Sequence, residues 1–316
     1  MAKITNWKSI LPASILPFKE DCSIDEAAFR KYLSWLANVD GVGGIVVNGH
    51  AGEVSVLSRE ERKRVVEIAV DEVGGRVMIV SGINSDSTWM AQEYAKDIEE
   101  AGAAGMLIMP CNTWLRYGVQ LDMVVQYFTR ICGVVGLDAA VHLYPLNTKA
   151  FYPVEILLEL SKIANIKAIK LGTRSTGIYE RDLRILREKA PHLSLLTCHD
   201  ESLITSMFPG VDGALVGLGS CIPELICEAF KAMNAGDFRE IRKYAEKIKD
   251  VSDVVYEVGQ SGGSRSSARM AKYAAYFRGL IPNPIVREPV MPITQRQKDE
   301  IEAAIKKAGV EPVGIC

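Results

Sequence analysis

Three residues of this sequence have types and positions suited to carbonyl chemistry: Lys170, Tyr144 and His50. Lys170 closes Ile166-Lys167-Ala168-Ile169-Lys170-Leu171-Gly172-Thr173, a stretch that is apolar apart from its lysines up to the final Gly-Thr. Strand alternation puts Ile166, Ala168 and Lys170 on one face, so Lys170 is the last inward residue of a strand otherwise suited to burial. A buried ammonium is costly unless it is paired or neutral, and desolvation lowers a lysine pKa. A neutral amine attacks a ketone to form a Schiff base. The alternative is a strand-end lysine that snorkels to solvent or meets a carboxylate.

Tyr144 ends the preceding strand, Asp138 to Tyr144, on the same inward parity as Ala140 and His142. Adjacent parallel strands lie about 4.8 Å apart, so the tyrosine hydroxyl can reach a lysine amine or its imine and shuttle protons. The alternative is a rim tyrosine whose hydroxyl meets water. His142, one layer deeper, reads as a hydrogen-bonded core histidine. Gly49-His50-Ala51-Gly52 is a glycine-flanked turn after a buried strand. Such a turn presents successive backbone N–H groups that can hold a carboxylate, or it is simply a tight turn.

The elements that must carry these residues alternate along the chain. Strands are predicted over Ala13–Phe18, Gly43–Gly49, Val77–Ile83, Gly105–Pro110, Asp138–Tyr144, Ile166–Gly172, Leu193–Cys198 and Gly213–Gly219. Between them, helical periodicity covers roughly 25–38, 59–73, 87–101, 119–135, 153–164, 180–189 and 201–208, and Pro223 opens the next helix. Ser23 with Glu26, and Ser58 with Glu61, have the spacing of capping boxes. Eight strand–helix units imply parallel pairing with right-handed crossovers, and match a closed (β/α)8 TIM barrel better than an open sheet. A Gly-x-Gly-x-x-Gly fingerprint after the first strand is absent, against a dinucleotide-binding fold. The division is therefore a barrel over 1–235 and a helical extension over 236–316, with helices near 237–260, 264–279 and 294–309 and a turn at Ile281-Pro282-Asn283-Pro284. In this fold the active site lies at the C-terminal ends of the strands, where Asn48, His50, Asn112, Tyr144, Lys170 and Cys198 stand.

Bulk composition excludes several classes. Of the 316 residues 48% are hydrophobic and 24% charged, with a net charge of −2 and no acidic or basic block, so nucleic acid is not an expected partner. The N-terminus lacks a secretory pattern and no apolar run is long enough to span a bilayer, which leads to the expectation of a soluble, cytoplasmic protein without membrane association. Seven scattered cysteines without Cys-x-x-Cys spacing read as free thiols. Cys198-His199 is the one close Cys/His pair, and neighbours on a strand point opposite ways, so no metal site and no cofactor are expected.

Taken together, the sequence resembles the dihydrodipicolinate synthase / N-acetylneuraminate lyase family of class I aldolases over nearly its whole length. Ala13-Ser14-Ile15-Leu16-Pro17-Phe18 resembles the family's opening strand. Gly49-His50-Ala51-Gly52-Glu53 with Leu57-Ser58-Arg59-Glu60-Glu61-Arg62 resembles its Gly-Thr-Thr-Gly-Glu and Leu-Ser-x-Glu-Glu-Arg motifs. Tyr144-Pro145-Leu146 stands at its Tyr-Asn-x-Pro and Ile169-Lys170 at its Schiff-base lysine. The resemblance implies that Lys170 condenses with pyruvate or a larger 2-oxo acid, that the backbone N–H groups of His50 and Ala51, beside Gly49, bind the carboxylate, and that Tyr144 moves protons. It also implies an aldehyde partner for a condensing enzyme and a homotetramer built as a dimer of dimers.

The departures point away from lysine biosynthesis. His50 and Ala51 replace the two threonines, Asn112 falls near the relay's second tyrosine, and Lys149 stands where the synthases carry a substrate-binding arginine. His50 either takes over the relay as an acid/base or merely fills the turn. Trp114, Lys149 and Cys198 suggest a differently shaped pocket, and Gly217 at the end of the last strand joins the substrate-binding set. The resulting expectation is a Schiff-base lyase: an aldolase, hydratase-aldolase or dehydratase. The alternatives are a dihydrodipicolinate synthase with an altered relay, and a silent barrel that binds a 2-oxo acid.

Overall fold

The computed structural model describes residues 5–256 and 268–316. Eight strands run through it: β1 (Ile10–Pro12), β2 (Gly44–Val47), β3 (Met78–Ile83), β4 (Gly105–Ile108), β5 (Asp138–Leu143), β6 (Ile166–Leu171), β7 (Ser194–Thr197) and β8 (Gly213–Val216). The ladders among the described residues are all parallel, in the order β1-β8-β7-β6-β5-β4-β3-β2. β1 and β2 meet through bridges Ile10↔Val42 and Ala13↔Val46, and the Ser14 N–H donates to Val46 at 2.9 Å, which closes the cylinder. The strands are almost wholly buried, as short apolar runs covered on both sides must be. The protein is a (β/α)8 barrel with C-terminal helices.

The helices of the barrel are α1 (Glu26–Ala37), α2 (Arg59–Val73), α3 (Thr88–Glu100), α4 (Trp114–Tyr117), α5 (Leu121–Cys132), α6 (Val154–Leu160), α7 (Thr176–Lys189), α8 (Leu203–Met207) and α9 (Pro223–Ala235). Then α10 (Phe238–Val255), α11 (Ala268–Phe277) and α12 (Gln295–Ala308) form the extension, α10 packing on α9 and α12. The ends of the helices read from sequence at 237–260 and 264–279 fall partly on residues 257–267, outside the described residues. No helix among the described residues is long and apolar enough to cross a membrane.

Several boundaries differ from the sequence expectation. β1 lies at Ile10–Pro12 rather than Ala13–Phe18, because the apolar run continues past the sheet into a buried segment over the barrel mouth. Ser58 does form a capping box with Glu61, but Asp25, not Ser23, caps α1 by accepting from the Ala28 N–H at 3.0 Å. Ser23 is held in a turn closed by Lys19 N to Ser23 O and by its hydroxyl donating to Asp21. α4 is a short helix inside a predicted loop, and α7 begins at Thr176, before the expected start near 180.

Candidate active site

Lys170 sits in β6 with His142 of β5 and Leu196 of β7 as its register partners. A register shift between Ala139 and Ala140 leaves Lys167 out of the pairing and exposed. Lys170, by contrast, is 8% exposed and lines a cavity of about 1060 Å³ at the C-terminal mouth of the barrel. Among the described residues its ammonium makes no hydrogen bond and no ion pair. It neither snorkels to bulk solvent nor sits on a carboxylate. Asp200, an acid of the cavity wall that feels the charge of Lys170, spends an oxygen on the Leu218 N–H at 2.8 Å, and burial raises its pKa despite the charges of Arg174 and Lys170.

Tyr144 stands two residues beyond His142 on the same strand edge and is buried. Its hydroxyl shares a 2.6 Å hydrogen bond with His50 Nε2. Burial, and then Cys198, raises the Tyr144 pKa, so the phenol stays protonated at neutral pH. The His50 ring borders the open cavity, which keeps part of it wet. Its proton affinity is nevertheless lowered, first by desolvation among the surrounding protein and then by the charge of Lys170, so the ring is neutral at pH 7. His142 packs edge-on against Tyr144 with centroids 4.9 Å apart and lies 6.0 Å from His50. It is not the hydrogen-bonded core histidine that its depth suggests: its Nδ1 is buried without a partner among the described residues, and the ring lines the cavity.

The Gly49–Gly52 turn is built to face the same space. Gly52 and Val54 donate to Gly49 O, and Glu53 donates to His50 O. The N–H groups of His50 and Ala51 have no partner among the described residues. A Cβ added at Gly49 would meet nothing within 4 Å, so glycine there leaves room rather than avoiding a clash. Asn48 enters the turn at φ 52°, in the left-handed region, and its amide is spent on Arg62 O and Ser81 Oγ. Glu53, also left-handed at φ 55°, anchors the exit: one carboxylate oxygen takes Lys272 Nζ and the other the Arg287 N–H at 3.0 Å.

The far wall carries Arg174, whose backbone lies at φ 59°. Its side chain pairs with Glu201 at 3.0 Å and donates to Cys198 O, and its N–H meets His199 Nε2 at 3.3 Å. Gly217 makes room for the extension: a Cβ there would stand 1.6 Å from the Tyr256 hydroxyl. Tyr256 and Ala268 bring the extension to the cavity wall. Among the described residues no group of three or more His, Cys, Asp or Glu side chains is placed to hold a metal ion.

A family model described as the dihydrodipicolinate synthetase family matches residues 6–308. The chain belongs to that family. It is 28% identical over 313 residues to 4-hydroxy-tetrahydrodipicolinate synthase of Bradyrhizobium diazoefficiens, covering 98% of this chain and 99% of that one. It is 25% identical over 306 residues to an uncharacterised DapA-like lyase of Thermofilum pendens, covering 96% and 97%. The fold matches the crystal structure of dihydrodipicolinate synthase from Agrobacterium tumefaciens at TM-score 0.86 and 24% identity, covering 96% and 98%. It matches equally, at TM-score 0.86 and 21% identity, a prophage protein of the same family from E. coli K12 in complex with pyruvate, covering 96% and 98%.

Of the residues singled out in the sequence, this family member brings Lys170, Tyr144, His50, Gly49, Ala51, Cys198 and Gly217 to one cavity. Asn112 and Lys149 stand outside its lining. The Asn112 amide is bonded to Asn84 and Asp86, and Lys149 donates to Arg116 O at 2.9 Å. Trp114 is also turned away, packed edge-on against Tyr127 and Tyr152, and its neighbour Leu115 faces the cavity instead. Sequence reasoning missed Arg174, Glu201 and Tyr256. Arg174 follows the lysine strand by three residues and carried a usable signal; Tyr256, within a predicted helix, carried none.

Proposed function

We propose that this chain is a Schiff-base-forming lyase acting through Lys170 on pyruvate or a larger 2-oxo acid. The observation that carries the reading is an amine buried without a counter-ion among the described residues, in the cavity that the Tyr144–His50 hydrogen bond also lines. The Lys170 amine adds to the ketone carbon, water leaves, and the protonated imine serves as electron sink for making or breaking a bond at the adjacent carbon chain. The N–H groups of His50 and Ala51 hold the carboxylate. Tyr144 gives and takes protons, with the neutral His50 ring as its exchange partner in place of a threonine relay. A cavity of about 1060 Å³ is far larger than pyruvate needs, which favours a longer 2-oxo acid or a second, aldehyde substrate.

The catalytic unit in this proposal is the barrel over 1–235, with 236–316 in support. The assembly is a homotetramer, a dimer of dimers; exposed Leu115, Tyr117, Leu121 and Met123 around α4 give it an apolar surface. A second reading, a dihydrodipicolinate synthase with an altered relay, is favoured by the synthase name of the Bradyrhizobium relative. Incubation with a panel of hydroxylated 2-oxo acids, and with pyruvate plus aspartate semialdehyde, separates the two by product. Pyruvate or dehydrated product from the panel, abolished in Lys170→Ala at unchanged circular dichroism, supports the lyase. A cyclised product from pyruvate plus aspartate semialdehyde, with no turnover of the panel, supports the synthase. Turnover retained within tenfold by Lys170→Ala contradicts both.

A further inference from the structure

We propose that His142 is a second catalytic residue of this site, the base that removes a proton from the carbon adjacent to the imine. The inference rests on the Schiff-base reading of Lys170 and names what that reading leaves open, namely which group takes the carbon-bound proton.

Position comes first. His142 is the register partner of Lys170 on the neighbouring strand, both side chains point into the barrel, and both line the cavity. With Tyr144 at 4.9 Å and His50 at 6.0 Å between ring centroids, His142 completes a wall of three rings beside one amine. The second observation is the unspent nitrogen. His142 is 6% exposed, its Nδ1 is enclosed without a partner, and no hydrogen bond to the ring exists among the described residues. Leaving a buried polar atom unpaired costs about 1–3 kcal/mol, which an aliphatic side chain at this inward position would avoid. Ala140, the preceding inward residue, shows that the strand does not itself require a polar group there.

The neighbours are already engaged. His50 Nε2 is tied to the Tyr144 hydroxyl, so those two act as one proton-exchange unit. His142 has no partner fixing its tautomer, so it can accept at one nitrogen and release from the other. Burial and the charge of Lys170 hold its pKa well below the usual imidazole value, so the ring is neutral and able to accept. The transfer itself relieves the repulsion. The C3–H bond breaks and its proton goes to the imidazole. The C–H electron pair forms C2=C3, and the C2=N pair returns to nitrogen, turning a cationic iminium into a neutral enamine. One positive charge thus moves from the Lys170 nitrogen to His142, and the site never holds two.

The test follows exchange of the pyruvate methyl protons in D2O by NMR, alongside borohydride trapping of the imine, for wild type, His142→Asn and His142→Leu. The proposal predicts trapping at wild-type stoichiometry in both variants, with methyl exchange slowed at least about a hundredfold, the usual contribution of a positioned base. Exchange within tenfold of wild type in variants that still trap overturns it. Trapping lost in both variants but kept by wild type assigns His142 to the fold and also overturns it. Absence of trapping in wild type with pyruvate and with every longer 2-oxo acid refutes the Schiff-base reading itself, a separate failure that takes this proposal with it.

Discussion

Replacing Lys272 by methionine tests how the helical extension holds the turn proposed to bind the substrate carboxylate. Lys272 and Glu53 are 0% and 2% exposed at their side chains and form an ion pair across 219 residues of sequence. Lys272 also donates to Ile285 O at 2.8 Å and lies 4.3 Å from the centre of the Phe18 ring. Methionine keeps most of the apolar stem, so the loss is electrostatic rather than a cavity. Glu53 would keep the Arg287 N–H at 3.0 Å but stay charged and buried. Breaking a buried pair from one side costs about 3–5 kcal/mol, whereas the double variant Lys272→Met/Glu53→Gln removes the stranded charge and should recover about half of that. Urea unfolding at constant m measures the first quantity. Because Glu53 follows Ala51 by two residues, the half-saturating pyruvate concentration for imine trapping should rise about tenfold, or about 1.4 kcal/mol. A stability loss below about 1 kcal/mol, or a double variant no better than the single, would refute the reasoning.

Three further outcomes are expected. Gly217→Ala forces the Tyr256 ring off the barrel wall, since its Cβ would stand 1.6 Å from the hydroxyl, and should lower the unfolding free energy by about 1–3 kcal/mol and change selectivity across a 2-oxo acid panel. Acid should weaken the fold through His142 and His199, both buried and both depressed, His199 to about 3, by desolvation first and nearby cations second. The unfolded chain then binds protons near pH 6.5 that the folded one refuses, so stability is lost as pH falls below 6.5, by about 3 kcal/mol at pH 5 for the two rings. His50, depressed too, adds to the loss, while Asp200 and Asp182, raised by burial, act in the opposite sense, so the clean measurement is the urea midpoint against pH for wild type and His142→Leu, whose slope should be less steep. His50→Ala should reduce turnover with a changed pH profile if the ring serves Tyr144; an unaltered profile would make it a filler of the turn.

Much of the site was legible because barrel geometry converts order along the chain into position. The parity of Ile166, Ala168 and Lys170 was enough to aim the lysine inward, and Tyr144 on the adjacent strand followed the same rule. What lies beyond the strand ends was not legible. Asn112 and Lys149 sit in loops where periodicity says nothing of direction, and both turn to local partners instead of the cavity. The first strand was misplaced because its apolar run outlasts its hydrogen bonds. Glu53 with Lys272, and Gly217 with Tyr256, are contacts between the barrel and its extension, set by tertiary packing that no local pattern encodes. The depth of His142 was readable; its unpaired nitrogen is set by the packing around it, which no local pattern encodes.

The most direct measurement is borohydride reduction in the presence of pyruvate, and in parallel of longer 2-oxo acids, with the intact protein weighed and the adduct located by peptide mapping. Imine chemistry at the buried Lys170 amine predicts one adduct per chain, on the peptide carrying Lys170, and none in Lys170→Ala. An adduct elsewhere, or no adduct with any 2-oxo acid, would contradict it and leave a barrel that binds its ligand without covalent chemistry.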